Sequence, residues 1–217
     1  VSESNLAAFM KAVLQDGNVT KLDIVAHSMG AQQFLRAFDR IQAVFDQRAG
    51  ADGKTRLRLG QVVLAAPDVE QEFFVDQVEH ISKTVDRVTI YTSQADWALY
   101  FSRLVHGTGN RAGYFDKKNK PVWVNAPNVF TIDASPAEET WLSQIQNFSI
   151  HHADFLDMPI VAADISAVLE AKRPRDNPDS RDKFCRVGTP GAVPPTPYYW
   201  RLLIPNSKGQ VPACPVQ

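Results

Sequence analysis

Four short apolar runs limit what this chain can fold into: Leu22–Ala26, Gln61–Ala66, Arg87–Thr92 and Asn128–Asp133. The stretches around them carry apolar residues at helical spacing. Residues 3–15 read as a helix with Leu6, Phe9, Met10, Val13 and Leu14 on one broad face, ended by Gly17 and Asn18. Residues 29–45 bring Phe34, Leu35, Phe38, Ile41 and Phe45 to one side, and Arg48–Lys54, with Gly50 and Gly53, reads as a loop. Residues 70–83, 96–105 and 159–169 are further helices. Short apolar strands alternating with helices predict an α/β fold: a mostly parallel sheet covered by helices on both faces, with right-handed crossovers.

Residues 1–170 carry this periodicity. Residues 171–217 hold nine of the 14 prolines, so that tail cannot be mostly helix or central strand. It also carries Tyr198, Tyr199, Trp200, Leu202, Leu203 and Ile204, which are costly to leave wet. An ordered tail packed on the domain is expected. Cys185 and Cys214 both lie in it. A disulfide would close a loop of about 30 residues. It would suit a periplasmic, secreted or membrane-associated protein, and two free cytosolic thiols are the alternative.

At 217 residues, with 44% apolar and 22% charged residues, the chain can bury one ordinary core. A net charge of -1 gives no electrostatic footing for nucleic acid. No apolar run approaches the roughly 20 residues that span a bilayer. The chain begins at Val1 with no signal-like run, as a processed product or a piece of a longer protein would.

The stretch Leu22-Asp23-Ile24-Val25-Ala26-His27-Ser28-Met29-Gly30 is the strongest chemical signal. An apolar strand turns into a helix at a serine, with small residues, Ala26 and Gly30, two positions either side. That is the pattern of a nucleophile elbow, in which the small neighbours relieve crowding at a sharp turn. The Met29 N–H, at the helix start, is then placed to hold an oxyanion. The plainer reading makes Ser28 an N-cap.

A serine nucleophile needs a base and an acid. In chain order the acid and the histidine should follow later strands. Asp96 comes a short turn after Arg87–Thr92, Asp68 follows Pro67 at the previous strand end, and Asp133 closes the last strand or caps a turn. Asp96 is the expected acid. Among the histidines, His27 should diverge from Ser28 and pack or hydrogen-bond beneath it. His80 lies in a helix and His106 in a loop. His151 and His152 follow the last strand and precede a helix, where a base belongs. The pair has no strong metal-ligand spacing, so neither metal nor cofactor is expected.

The chain resembles the alpha/beta hydrolases of unknown function formerly catalogued as DUF900, lipase- and esterase-like proteins widespread in bacteria. Four stretches carry the likeness: Ile24–Gly30 (IVAHSMG), Val62–Asp68 (VVLAAPD), Tyr91–Gly113 (YTSQADWALYFSRLVHGTGNRAG) and His152–Ile165 (HADFLDMPIVAADI). The resemblance implies an alpha/beta-hydrolase fold with Ser28, Asp96 and His152 as catalytic residues, His151 remaining the alternative base. It implies a carboxylic or lipid-like ester as substrate.

The resemblance also implies that N-terminal strands of the full fold are missing here. The strands present match its fifth to eighth, and the absent loop supplies a second oxyanion donor. An upstream segment or a separate chain is therefore expected to complete the sheet. Alone, the chain is expected to expose the edge of its nucleophile strand and to be marginally stable and weakly active. The aromatic residues around Asp96 and His152, with Leu156 and Met158, line an acyl pocket or fill core. Arg103 and Arg111 bind an anion or pair with Asp96 or Asp116. The alternative function is a non-catalytic interaction module on a hydrolase-like scaffold.

Overall fold

The computed structural model describes residues 3–14, 19–49, 58–94, 110–116, 120–136, 156, 158–170, 183–188, 197–205 and 208–214. Helix α1 is Glu3–Leu14 and strand β1 is Lys21–His27. Helix α2 is Met29–Ala49, β2 is Arg58–Ala65, and α3 is Gln71–Ser82. Strands β3, Val85–Thr92, and β4, Val129–Asp133, precede α4, Pro159–Glu170. The tail adds β5, Phe184–Val187, and β6, Tyr199–Leu202. The helix expected over 96–105 lies outside the described residues.

The six strands form one sheet in the order β1-β2-β3-β4-β6-β5. β1 to β4 pair in parallel, β6 joins β4 in parallel, and β5 returns antiparallel to β6. The parallel strands alternate their side chains between two buried faces. Val62, Leu64, Val88 and Ile90 share a core with Met10, Phe34, Phe38 and Phe74 from α1, α2 and α3. Val63, Tyr91 and Ile132 pack on the other face with Val161 and Val168 of α4 and with Trp200 and Leu202 of β6. The sheet is thus mostly parallel and flanked by helices on both sides.

Helical spacing located these helices, but α1 buries less than its apolar residues suggest. Met10 and Leu14 are buried and Leu6 is partly buried, a row at i, i+4 and i+8. Phe9 is 63% exposed. It lies a third of a turn off that row. α2 runs to Ala49, so Arg48 and Ala49 are helix where a loop was expected.

β1 is an edge strand among the described residues, as expected of the strand ahead of Ser28. Its face opposite α2 is open, with Val25 51% exposed and His27 exposed. Asp23, an uncommon strand residue, marks a register shift between Leu22 and Ile24. Its Oδ1 accepts the Gln61 N–H at 2.6 Å and meets Lys21 Nζ at 3.0 Å, so a side chain takes the place of a ladder carbonyl. Gly60 sits opposite, and a Cβ there would make the ends of both side chains shift.

The tail enters the sheet through two strands of four residues. Prolines 197 and 205 lie outside β6, leaving Tyr199–Leu202 free to pair on both sides. Trp200 is 3% exposed, with ring centroids 5.3 Å from Phe130 and 5.5 Å from Tyr198. Gly188 closes β5 at φ 97, where a Cβ would come 2.7 Å from the Pro197 carbonyl oxygen. Cys185 and Cys214 form a disulfide with Cα atoms 5.7 Å apart. No helix among the described residues is long and apolar enough to cross a membrane.

β6 also supplies the counter-charge for a buried acid. Asp133 is 0% exposed at the end of β4, and its Oδ2 accepts from Arg201 Nη1 at 2.9 Å. Its Oδ1 accepts the Ser135 N–H at 2.9 Å, the turn-capping role weighed from sequence. Removing Arg201 would take the guanidinium from that buried carboxylate. Arg201→Met should destabilise the fold by about 2–3 kcal/mol, below the upper range for a broken buried pair because the arginine is 27% exposed. Urea unfolding of both proteins measures the difference.

Candidate functional site

In-register parallel pairing brings four strand ends to one line. His27 pairs with Ala65, Ala65 with Tyr91, and Thr92 with Asp133. Ligands of open α/β sheets bind at this C-terminal edge. Ser28 lies on it, as the single residue between β1 and α2. Its φ is 54, the left-handed region, which a residue with a Cβ enters at a cost of about 1–2 kcal/mol.

Three backbone bonds hold Ser28 in place. Its N–H donates to the Ala65 carbonyl at 2.9 Å, continuing the β1–β2 ladder past the strand end. Its carbonyl accepts the Ala31 N–H at 3.1 Å and the Asp68 N–H at 3.2 Å. At about 1 kcal/mol net for each bond, together they offset the strain. Met29, the first residue of α2, has an N–H that no carbonyl within its helix can take. Ala26 is buried at 7% exposure. The crowding expected at Gly30 is absent among the described residues: apart from its own helix and chain neighbours, a Cβ there would meet no atom within 4 Å. α2 starts in open space beside the sheet edge, so Gly30 is not sterically demanded.

The loop after β2 forms the next wall. Ala66 has φ 43, a second non-glycine in the left-handed region, and its N–H donates to the Tyr91 carbonyl at 2.9 Å. Asp68 Oδ1 lies 3.2 Å from Arg111 Nε. Arg111 is therefore paired with Asp68, a partner the sequence reading did not give it. Glu70 caps α3, accepting the Phe73 N–H at 2.9 Å and the Glu72 N–H at 3.1 Å. Those two bonds hold its carboxyl below the ordinary 4.5, outweighing a small burial effect, and the Arg111 charge adds to them.

Asp133 is committed to Arg201 and Ser135, and the Ser135 Oγ accepts the Gln94 N–H at 2.9 Å. Burial, and then the Asp133 charge, raise the Tyr199 hydroxyl above its ordinary value, with Arg201 opposing. Tyr91 donates to Asp164 Oδ2 at 2.5 Å and Arg87 Nη2 to the Val168 carbonyl at 3.2 Å, fastening β3 to α4.

Asp96, His106, His151, His152 and Arg103 lie outside the described residues. His80 is exposed on α3 with Nε2 3.0 Å from Asp39 Oδ1, bridging to α2. His27 is exposed, so it is not packed in the core beneath Ser28, and the alternative of a hydrogen bond there stays open. Leu156 and Met158 pack on the α4-side core, which favours the core-filling role for these two. Among the described residues no group of three or more His, Cys, Asp or Glu is arranged to hold a metal ion.

Residues 1–173 match the family model described as alpha/beta hydrolase of unknown function (DUF900). The chain belongs to this family. No curated protein and no solved structure matches it. The family span takes in β1 to β4 and α4, and ends before β5 and β6.

Strain at Ser28 has a thermodynamic signature. Both Ser28→Ala and Ser28→Gly remove the hydroxyl, but only glycine relieves the positive φ. The glycine variant should be the more stable of the two by about 1 kcal/mol, read by thermal or urea unfolding. A second expectation concerns Glu70. A carboxyl held below 4.5 stabilises the fold above that pH, and the contribution fades as pH falls through the lowered value. Glu70→Gln should flatten the acid limb of a stability–pH curve.

Proposed function

We propose that this DUF900 member is a serine hydrolase acting on a carboxylic or lipid-like ester through an acyl-serine intermediate. The observation that carries the reading is Ser28. It is a lone left-handed residue between a parallel strand and a helix, at the sheet edge where α/β proteins bind ligands. An N-cap serine ordinarily has extended backbone angles, so capping alone gives no reason for φ 54. Strain of this kind is tolerated where chemistry needs a side chain presented from the turn. Ser28 is thus the nucleophile of an elbow.

His152, preceding α4, takes the Ser28 proton as Oγ bonds to the acyl carbon. Asp96, four residues beyond β3, orients the imidazole. The Met29 N–H stabilises the oxyanion. The carbonyl re-forms as the ester C–O bond breaks, and His152 returns the proton to the leaving alcohol. Water, deprotonated by the same base, then cleaves the acyl-serine to free acid and serine. These steps require neither metal nor cofactor. His151 is the alternative base.

The exposed edge of β1 suits one more strand, from an upstream segment or a separate chain, which would bring the second oxyanion donor. The disulfide fits an oxidising location such as the periplasm or the cell exterior.

A fluorophosphonate probe tests the reading. Adduct formation at Ser28, mapped by peptide mass and lost in Ser28→Ala, is the expected outcome. A folded chain that gains no adduct at Ser28 would instead favour the interaction-module role.

A further inference from the structure

Behind Ser28 stands a loop that is itself held by charge. The Asp68 N–H donates to the Ser28 carbonyl, and the Asp68 carboxylate meets Arg111 at 3.2 Å. Arg111 is 8% exposed. Its segment is laced to the same loop by backbone bonds. Ala112 N–H reaches the Val69 carbonyl at 2.9 Å, and Gly113 N–H reaches the Pro67 carbonyl at 3.0 Å. The Gln71 N–H reaches the Asn110 carbonyl at 2.9 Å, and Glu70 forms a bridge with Arg111.

We propose that Asp68 and Arg111 are positioning residues: their ion pair fixes the loop against the Ser28 carbonyl and so sets the aim of the Ser28 hydroxyl and the Met29 N–H. The inference rests on the hydrolase reading. It goes beyond that reading by giving Asp68 a role other than triad acid.

The physical case is one of economy. A buried ion pair adds little net stability, because desolvation cancels most of the attraction. Apolar residues of the same volume would hold a loop as well. A charged pair adds an attraction that holds without fine alignment: Arg111 Nε lies 3.2 Å from Asp68 Oδ1 but makes no hydrogen bond among the described residues. It acts on a loop carrying one left-handed non-glycine, Ala66, and touching another, Ser28. Two strained residues persist only where their surroundings over-determine them. Of the three backbone bonds described at Ser28, the one from the Asp68 N–H comes from outside β1, β2 and α2. Loosening the loop therefore frees the Ser28 peptide to relax while the sheet stays intact.

The test is the rate of fluorophosphonate labelling of Ser28 across pH, with a thermal melt for every protein. Wild type is compared with Asp68→Asn, Arg111→Met and Arg111→Lys. The plateau rate should fall by up to about 10²-fold in Asp68→Asn and Arg111→Met. The pH midpoint, which reports the base, should stay where it is. Arg111→Lys, which keeps the charge, should recover part of the rate.

Should a single variant not melt cooperatively, Asp68→Asn/Arg111→Met leaves no buried charge unpaired, and it should fold and label slowly. Folded variants that label at the wild-type rate overturn the proposal. So does a loss near 10⁴-fold in Asp68→Asn with a shifted midpoint, the mark of the triad acid itself. If wild type forms no Ser28 adduct while folded, the hydrolase reading falls and this inference falls with it.

Discussion

Parallel pairing with matched register is the constraint from which the rest of this molecule follows. A parallel strand cannot return by a tight turn, so each strand end must send the chain across a face of the sheet. Matched register makes β1 to β4 finish level, and the exits of four strands crowd into one edge. The backbone there must still satisfy its hydrogen bonds. Ser28, Ala66 and Ala134 each donate to the neighbouring strand's carbonyl, at 2.9 Å in all three cases. The ladder thus runs one residue past three of the four strand ends, while after β3 the Ser93 N–H turns to the Gly113 carbonyl. The same bonds give the edge its stiffness and place Ser28 there.

Extending the ladder in this way leaves little room for the exit. At Ser28 the chain has one residue in which to leave β1 and enter α2, and the left-handed region is the result. The strain is about 1–2 kcal/mol, smaller than the sum of three backbone bonds at about 1 kcal/mol each. Ala66 meets the same difficulty with Pro67 behind it, since a residue before proline is already turned away from the right-handed helical region. Topology sets the turn at both residues, and Ser28 differs from Ala66 in placing a hydroxyl there. The bonds around each turn make a single conformation persist.

How much of this could be read from the sequence depended on range. Apolar runs and helical spacing are local signals, and they located β1 to β4, α2, α3 and α4 to within a few residues. The strand–serine–helix order at Ser28 was also local. Phe9 was misjudged because spacing does not say how many neighbours a helix has. Among the described elements α1 packs mainly against α2, which covers one row of its residues. Gly30 was misjudged because the open space beside α2 depends on β1 being an edge strand. The Asp23–Gln61 bond, the Asp68–Arg111 pair and the Asp133–Arg201 pair join residues distant in sequence. Each requires the sheet order first, and no spacing rule contains it. Asp96 and His152 stand on position and resemblance.

The tail gives the strongest instance of that limit. Its prolines argued against a tail that is mostly helix or central strand, and β6 is a short strand that fits between two of them and pairs on both sides. It lies beyond the residues that match the family, and still it supplies Arg201 to Asp133 and Trp200 to the α4-side core. Asp133 in turn holds the Ser135 N–H, and Ser135 holds the Gln94 N–H where the chain leaves β3. One guanidinium from the tail therefore reaches, through two side chains, the strand exit two residues before Asp96. The disulfide between Cys185 and Cys214 ties the far strand of this hairpin to the later chain. Fold and site share these contacts, so the tail is as much a wall of the C-terminal edge as the strands that the family model recognises.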